Sequence, residues 1–309
     1  MGNSFWFSWE PGFIVFLQEH ITPFFQKICE SLAFFGDEYA VILLVGFLYW
    51  GYKKDLGKKI GLYFVTSLVS CVVLGNIVIR RRPYFDHEEI RCLKPRSNKG
   101  DPYDIAIQGF SFPSGHSTNS VATYAAMGHN VKNKILKAVF YLLPVLIGLS
   151  RVVLGVHYPT DVLAGYAIAG LAILLISCVK NQYIVYALVI LIGIVGCFFC
   201  KSVDFFSSFG IAIGIIAGFI FEEKLVRFEN TKNVFGMILR TIGGLVLFVV
   251  VDKILEVPFT EEFLSSVSGL SFMVRTIRYA IACFAVIGVY PMLFGYVGKK
   301  LPRQESETR

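Results

Sequence analysis

Long apolar runs separated by short polar loops make up most of the chain after about residue 38. Several of these runs approach or exceed the length of about 20 apolar residues that a membrane-spanning helix needs. The predicted spans are, in chain order, 38–51, 60–79, 114–130, 138–156, 160–179, 183–199, 204–221, 234–251 and 275–297. The pattern therefore predicts an all-α polytopic membrane helix bundle with about nine spans.

Residues 11–34 show a different pattern, because apolar side chains recur at helical spacing while polar side chains fill the opposite face. The apolar positions are Ile14, Leu17, Ile21, Phe24, Phe25, Ile28 and Leu32. Amphipathic helices of this kind lie in the membrane interface. We therefore predict an amino-terminal interfacial helix here. A first span interrupted at Pro23 is the alternative.

Lysine and arginine residues are concentrated in alternate loops, after the first, third, fifth, seventh and ninth predicted spans. These cations are Lys53, Lys54, Lys58, Lys59, Lys132, Lys134, Lys137, Lys180, Lys224, Arg227, Lys232, Lys299, Lys300, Arg303 and Arg309. The positive-inside rule makes this side cytoplasmic. We therefore expect the amino terminus outside and the carboxyl terminus in the cytoplasm. The exceptions on the outer side are 80–101, Arg151, Arg275 and Arg278.

Composition narrows the class of protein. Hydrophobic residues make up 55% of the chain and charged residues 17%, whereas a soluble domain is about a quarter charged. The net charge of +7 follows from the loop cations, so we expect no nucleic-acid partner. The first twelve residues, MGNSFWFSWEPG, lack the pattern of a cleavable signal. We expect an integral multi-pass protein of a bacterial cell membrane, surrounded by lipids and ending in a disordered tail, QESETR.

The cysteines do not indicate a metal or redox site. Cys197 and Cys200 form a CxxC pair, but it lies in the apolar stretch GIVGCFFC, without a second pair or a nearby histidine. Cysteine in such surroundings behaves as a small hydrophobic residue. We therefore expect neither a metal nor a cofactor.

Three polar stretches interrupt the apolar pattern, and alternation of the spans puts them at one membrane face. The first is Arg80, Arg81 and Arg82, which precede the helix-ending Pro83. Guanidinium groups match phosphate oxygens, so a bound anion would explain three cations outside. Snorkelling to lipid headgroups is the alternative for Arg80 and Arg81.

The second polar stretch, Pro-Ser-Gly-His at 113–116, opens the third predicted span. A helix start offers unpaired backbone N–H groups to an anion. Gly115 allows the backbone to approach the anion closely, and Ser114 adds a hydroxyl donor. His116 adds an imidazole at the same place.

The third polar stretch, SRVVLGVHYPTD at 150–161, brings Arg151, His157 and Asp161 to the edge of a span. Polar residues this dense at a span edge indicate a functional site. Together the three stretches suit metal-free phosphoryl transfer, in which one imidazole attacks phosphorus and another protonates the leaving oxygen. The spacing of His157 and Asp161 suits an attacking imidazole whose tautomer is fixed by an acid.

These residues resemble the type 2 phosphatidic acid phosphatase superfamily, which includes the lipid phosphate phosphatases. The likeness covers roughly residues 60–180, the expected phosphatase core, and rests on PSGH at 113–116 and on Ser150, Arg151, His157 and Asp161. The resemblance implies that His157 is the nucleophile that forms a phosphohistidine, that Asp161 orients it, and that His116 is the general acid. It also implies a set of phosphate ligands, Arg82, Ser114, Gly115 and Arg151.

The chain departs from the family pattern at one position, because Gly75 stands where a lysine is usual. Arg80, Arg81 or Lys94 are candidates to replace its charge, and Arg80 and Arg81 are predicted substrate-binding residues. We predict an extracytoplasmic, metal-independent phosphatase acting on a lipid phosphate or diphosphate. A phosphatase for a soluble sugar phosphate, a lipid phosphotransferase and a non-catalytic lipid transporter are alternatives. Residues 1–309 are expected to form one membrane domain, in which 183–309 adds spans of unknown role.

Overall fold

A computed structural model describes residues 2–97 and 100–294. Helix is the main regular structure of these residues, and Asn3 and Arg80 form an isolated parallel bridge. The helices are α1 (Glu10–His20), α2 (Pro23–Gly36), α3 (Glu38–Gly46), α4 (Lys54–Val78), α5 (Pro83–Asp86), α6 (Ile105–Gln108), α7 (Gly115–Ser120), α8 (Ala126–Asn130), α9 (Lys134–Val153), α10 (Pro159–Cys178), α11 (Gln182–Gly196), α12 (Val203–Phe221), α13 (Val234–Glu256), α14 (Glu261–Ser265) and α15 (Gly269–Phe284). Shorter π-helical segments are Phe47–Tyr52, Val121–Ala125, Glu222–Val226 and Ala285–Val289, and Tyr290–Leu293 is a 3₁₀ turn.

In the part of the chain that the structure describes, six helical segments are long and apolar enough to cross a membrane. They are Lys54–Val78, Lys134–Val153, Pro159–Cys178, Val203–Val226, Val234–Glu256 and Gly269–Leu293. A seventh results if Pro23–Gly36 and Glu38–Tyr52, which are bent by 51°, form one span. The all-α polytopic fold class is therefore confirmed.

Besides 38–51, which counts as a span only as part of that bent pair, two of the nine predicted spans correspond to helices that fall short of a full crossing. Residues 114–130 contain α7, a π-helical segment and α8, with buried serine and threonine side chains. The span predicted at 183–199 corresponds to α11, which has 15 residues and is therefore about 22 Å long. The end of the span predicted at 275–297, the cations from Lys299 onward and the tail QESETR lie outside the described residues.

The single interfacial helix predicted over 11–34 is two helices. The Thr22 hydroxyl accepts a hydrogen bond from the Phe25 N–H and caps α2, and Pro23 occupies the first position of that helix. A proline favours this position and cannot continue the preceding helix. The first helix therefore ends at His20, although the apolar periodicity alone predicted one continuous helix.

Two compact units divide the chain. The first comprises Met1–Val45 and Lys59–Ser208, and the second comprises Gly46–Lys58 and Phe209–Arg309. The prediction that residues 1–309 form one membrane domain stays a prediction. One core of the first unit contains Ile14, Ala33, Tyr84, Ile90, Val152, Leu154, Val156, Tyr158 and Val162.

The turn between α9 and α10 carries His157 and packs closely against the long loop that precedes α7. Gly155 has φ +75°, and a Cβ there would lie 2.2 Å from the Arg91 carbonyl oxygen. Only glycine combines this backbone conformation with so close an approach. The Leu93 N–H also donates to the Leu154 carbonyl at 3.1 Å. The long loop before α7 is thus fastened against the turn that carries His157.

The second unit has an aromatic core built from π-helical and α-helical segments. Its buried members are Tyr49, Trp50, Phe219, Phe228, Val286 and Phe294. The Trp50 Nε1–H donates to the Val286 carbonyl at 3.2 Å, as a buried indole requires. Two ion pairs of the buried Arg278, discussed below, also belong to this unit.

Candidate active site

The end of α4 separates the three adjacent arginines. Ile79 has φ +45°, a left-handed conformation that is uncommon for a β-branched residue, and it ends the helix. The following backbone is extended, so successive side chains point to opposite sides. Arg80 and Arg82 are consequently buried. Arg81 turns to an ion pair with Asp86 at 3.2 Å.

Arg82 is held by backbone carbonyls. Its Nη1 donates to the Val156 carbonyl at 2.9 Å, and its Nε donates to the carbonyls of Gln108 and Gly109 at 3.1 and 3.2 Å. Burial lowers the pKa of Arg82 to about 10. The guanidinium therefore stays charged at neutral pH, next to the residue that precedes His157.

Ser114 fastens the start of α7 to the start of α10. Its N–H donates to the Asp161 carbonyl at 3.0 Å, and its hydroxyl oxygen caps α7 by accepting from the Ser117 N–H. A Cβ added at Gly115 would meet no atom within 4 Å, so the space beside this residue is open. His116 packs against α2, because a Cβ at Gly36 would lie 3.0 Å from the His116 Cβ.

Arg151, in the last turn of α9, is a buried cation with an unsatisfied donor. Among the residues that the structure describes, none accepts a hydrogen bond from its Nε. Arg82, Arg151, His157 and Lys94 all act electrostatically on His116. A buried donor without a partner is costly unless a ligand satisfies it. The arrangement favours an anion among these residues.

His157 has one ring nitrogen fixed by the protein. Its Nδ1 lies 2.7 Å from the Ser111 carbonyl oxygen. Since a carbonyl only accepts, Nδ1 carries the proton and Nε2 keeps its lone pair. Burial lowers the pKa of His157 from 6.5 to about 4, although the nearby carboxylate of Asp161 opposes the shift. The imidazole is therefore neutral and nucleophilic at neutral pH.

Asp161 reaches His157 mainly through Ser111. Its Oδ2 accepts from the Tyr158 N–H at 2.8 Å and from the Ser111 hydroxyl, and it lies 3.8 Å from the His157 Nδ1. The resemblance implied a direct orienting role for Asp161, whereas here Ser111 bridges the two residues. Ser111 was not among the residues predicted from the sequence. Its position two residues before Pro113 was the available signal.

Arg80 differs from the prediction that it binds phosphate. Its Nη1 donates to the Asp161 Oδ1 at 2.7 Å, and its Nη2 donates to the Glu10 Oε2 at 2.7 Å. The Arg80 guanidinium, which was predicted to bind an anion, is therefore paired with two buried carboxylates of the protein. Arg81 also has a carboxylate partner, as described above. Neither arginine presents a free charge beside His157.

The position of the missing family lysine is closely packed. A Cβ at Gly75 would lie 3.2 Å from the Phe112 carbonyl oxygen, so α4 packs directly on the segment that leads into α7. Of the three predicted replacements, Lys94 acts electrostatically on both Arg151 and His116. Burial and the charge of Arg151 lower the pKa of Lys94. Its Nζ donates to the Glu30 carbonyl at 2.8 Å.

Two family models match the chain. A model of the PAP2 superfamily matches residues 57–200. A second model, described as the transmembrane extension of PAP2 superfamily phosphatases, matches residues 206–301. The second match falls on most of the spans to which the sequence analysis assigned no role.

Two similar proteins and one solved structure are membrane-lipid phosphatases by name. Lipid A 1-phosphatase of Rhizobium etli is 31% identical over 164 residues, which are 47% of this chain and 67% of that protein. Phosphatidylglycerophosphatase B of Bacillus subtilis is 37% identical over 171 residues, which are 50% and 75% of the two chains. A crystal structure of a transmembrane PAP2-type phosphatidylglycerolphosphate phosphatase from Bacillus subtilis is 25% identical, covers 54% of this chain and 82% of that chain, and has a TM-score of 0.43.

Proposed function

Because the chain belongs to the PAP2 superfamily, we propose that it is a membrane phosphatase that hydrolyses a lipid phosphate or diphosphate through a phosphohistidine on His157. The hydrogen bond from the His157 Nδ1 to the Ser111 carbonyl carries this proposal. It directs the lone pair to Nε2, the atom that would attack phosphorus. A pKa of about 4 keeps that lone pair available at neutral pH.

The reaction proceeds in two displacements. In the first, the His157 Nε2 forms a bond to phosphorus, the bond from phosphorus to the leaving oxygen breaks, and protonated His116 donates a proton to that oxygen. Burial and the neighbouring cations lower the pKa of His116 in the free protein, and the negative charge of the bound phosphate opposes this shift, so that His116 is protonated in the complex. In the second, water attacks phosphorus, gives a proton to His116, and releases phosphate from Nε2. Arg82 and Arg151 stabilise the negative charge on the phosphoryl oxygens in both steps.

A lipid substrate is supported by the relatives and by the location of the site. Lipid A 1-phosphatase and phosphatidylglycerophosphatase B act on lipids by name. Arg82, Arg151, His157 and Asp161 lie at or just beyond the ends of three membrane-spanning helices, α4, α9 and α10. A phosphate carried by an amphiphile lies at this level of a bilayer.

An extracytoplasmic site is supported by the charges at the two ends of the same helices. Helix α9 begins near Lys134 and Lys137 and has Arg151 in its last turn, whereas α10 begins at the proposed site and is followed by Lys180. Lysine-rich helix ends are cytoplasmic by the positive-inside rule. We infer that His157 and its neighbours face the outside.

The test is phosphate release by the purified full chain in detergent with EDTA present. The substrates are phosphatidic acid, phosphatidylglycerol phosphate, lipid A, undecaprenyl diphosphate, a sphingoid phosphate and glucose 6-phosphate. We expect a lipid substrate to be hydrolysed, orthovanadate to inhibit, and His157→Ala to lose at least about 10³-fold in rate. A short-chain, membrane-impermeant substrate given to intact spheroplasts should also be hydrolysed.

Three outcomes would contradict parts of the proposal. Activity that survives His157→Ala removes the phosphohistidine. Hydrolysis of glucose 6-phosphate alone identifies a soluble sugar phosphate as the substrate. Hydrolysis of the impermeant substrate only after lysis of the spheroplasts reverses the orientation of the site.

A further inference from the structure

A carboxylate from outside the matched family region lies fully buried beside the proposed active site. Glu10, at the start of α1, has no solvent exposure. Its Oε1 accepts from the N–H and the hydroxyl of Thr160 at 3.0 and 2.6 Å, and its Oε2 accepts from the Arg80 Nη2 at 2.7 Å and the Phe7 N–H at 2.9 Å. The family match begins at residue 57. Glu10 is therefore a feature of this chain that the match does not cover.

Arg80 connects Glu10 to Asp161. Its Nη2 donates to Glu10 and its Nη1 to Asp161, while its Nε donates to the Phe5 carbonyl at 2.8 Å. Each nitrogen of the planar guanidinium thus has its own acceptor. Because the donors of a guanidinium have fixed relative directions, this arrangement sets where the Asp161 carboxylate lies.

Hydrogen bonds from Asn3 and Ser4 attach the amino-terminal segment, residues 2–10, to the segment that contains Arg80 and Arg81. The Asn3 N–H donates to the Ile79 carbonyl at 2.8 Å, and the Arg81 N–H donates to the Asn3 carbonyl at 2.9 Å. The Ser4 hydroxyl donates to the Asp86 Oδ1 at 3.1 Å. These bonds hold the segment alongside the arginines, so Glu10 reaches Arg80 from a defined direction.

We propose that Glu10 and Arg80 are positioning residues for phosphoryl transfer. They hold Asp161, which holds Ser111 through its hydroxyl, and the Ser111 carbonyl holds the ring of His157. The inference rests on the proposed function. Neither residue contacts the reacting phosphate. Their effect on the reaction passes through Asp161.

A double-mutant cycle between Glu10 and Asp161 tests the proposal. We compare the full-length wild type with three variants, Glu10→Gln, Asp161→Asn and the double variant. For each, kcat and KM are measured on the lipid phosphate that the wild type hydrolyses. We expect Glu10→Gln to lower kcat about ten-fold in the wild type and less than about two-fold in Asp161→Asn, because coupled residues do not act additively. KM should change by less than about two-fold, and Glu10→Asp should recover part of kcat.

Glu222→Gln is the matched control, since it also removes a buried carboxylate. Glu222 lies in the second unit and accepts from the Lys54 Nζ and the Phe228 N–H, both at 3.0 Å. We expect this variant to keep the wild-type kcat per folded molecule. A loss of folded protein from Glu10→Gln would reduce the rate by the same factor in both backgrounds. Equal losses in the two backgrounds would therefore overturn the positioning role.

A second variant keeps the test decisive if Glu10→Gln does not fold. Thr160→Val removes the hydroxyl that donates to Glu10 and accepts from the Arg80 Nη1 at 2.7 Å, while every charge remains. The same cycle with Asp161→Asn should again be non-additive, and additive losses would contradict the inference. If the proposed function itself is wrong, His157→Ala will be as active as the wild type. This result distinguishes failure of the proposed function from failure of the positioning role.

Discussion

Two buried arginines, one in each unit, are each bonded to two carboxylates, yet they belong to different kinds of site. All four ion-pair distances lie between 2.7 and 2.8 Å. The partners are Glu10 and Asp161 for Arg80, and Asp252 and Glu256 for Arg278. The carboxylates around Arg80 have no exposed surface, whereas those around Arg278 are 15% and 30% exposed.

The difference lies in where each polar network ends. From Arg80 the hydrogen bonds continue through Asp161 and Ser111 to the ring of His157. From Arg278 they continue through Glu256 to Lys253, whose side chain is 70% exposed. Similar charge patterns therefore serve a buried imidazole in one unit and end at a solvent-exposed cation in the other. The surroundings of an ion pair, rather than its composition, indicate its role.

A third buried arginine sharpens this comparison, because Arg151 forms no ion pair among the described residues. We predict that Arg151→Ala lowers kcat/KM by about 10²–10³-fold, the usual effect of removing one donor that stabilises transition-state charge. Arg278→Ala should change kcat/KM by less than about two-fold per folded molecule. Steady-state phosphate release by both variants provides the measurement. Similar losses in both would mean that exclusion from solvent alone explains the effect of Arg151.

The sequence was informative about the site wherever the chemistry lies in short segments. The segments containing Arg82, Ser114–His116 and 151–161 each combine helix-ending residues with charged or hydroxyl side chains. The structure brings these segments together in the first unit. Alternation of apolar runs predicted this meeting, although two of the runs are short helices.

The sequence was uninformative where a role depends on a distant partner. Glu10 precedes Pro11 and looks like an ordinary first-turn acid, while its partners lie 70 and 150 residues along the chain. Arg80 was interpreted as a phosphate ligand because three adjacent arginines look alike in one dimension. The left-handed Ile79 and the extended backbone after it send Arg80 and Arg81 to different partners. Such directions follow from tertiary packing.

The second prediction replaces one carboxylate in each arginine cluster. Asp161→Asn keeps the size of the side chain but removes the charge that Arg80 and Ser111 share. We expect kcat to fall by about 10–100-fold, the range seen in metal sites when the hydrogen-bond partner that orients a ligating side chain is lost. This loss is smaller than that of His157→Ala, because the nucleophile remains. Asp252→Asn should leave kcat unchanged within about two-fold.

Comparison of the two asparagine variants separates orientation from stability. Both remove a carboxylate from a buried arginine, so both should lower the unfolding temperature in detergent. Only Asp161→Asn should change kcat once the rate is divided by the folded fraction. An equal fall in kcat for Asp252→Asn would show that the network around Arg80 has no special connection to the reaction.

The third and smallest effect concerns pH, because the wild-type rate should be insensitive to His157 near neutrality. Burial lowers the pKa of His157 to about 4, and a protonated imidazole has no lone pair for phosphorus. The charges of Arg82 and Arg151 disfavour this protonation, whereas Asp161 favours it. A plot of log kcat/KM against pH should therefore fall above about pH 6, where the phosphate monoester has lost its second proton and His116, whose pKa is lowered, is neutral, and it should show no loss from protonation of His157 there.

A second break, to a slope of one on the acid side, should follow only near pH 4, where His157 becomes protonated. In Asp161→Asn this second break should move to lower pH, because the negative charge 3.8 Å from Nδ1 no longer stabilises the imidazolium. In Asp252→Asn it should stay in place. An acid-side loss that already begins near pH 6.5 in the wild type would mean that solvent reaches the ring. The cluster around Arg80 would then be open to solvent, as the cluster around Arg278 is, and the proposed mechanism requires it to be buried.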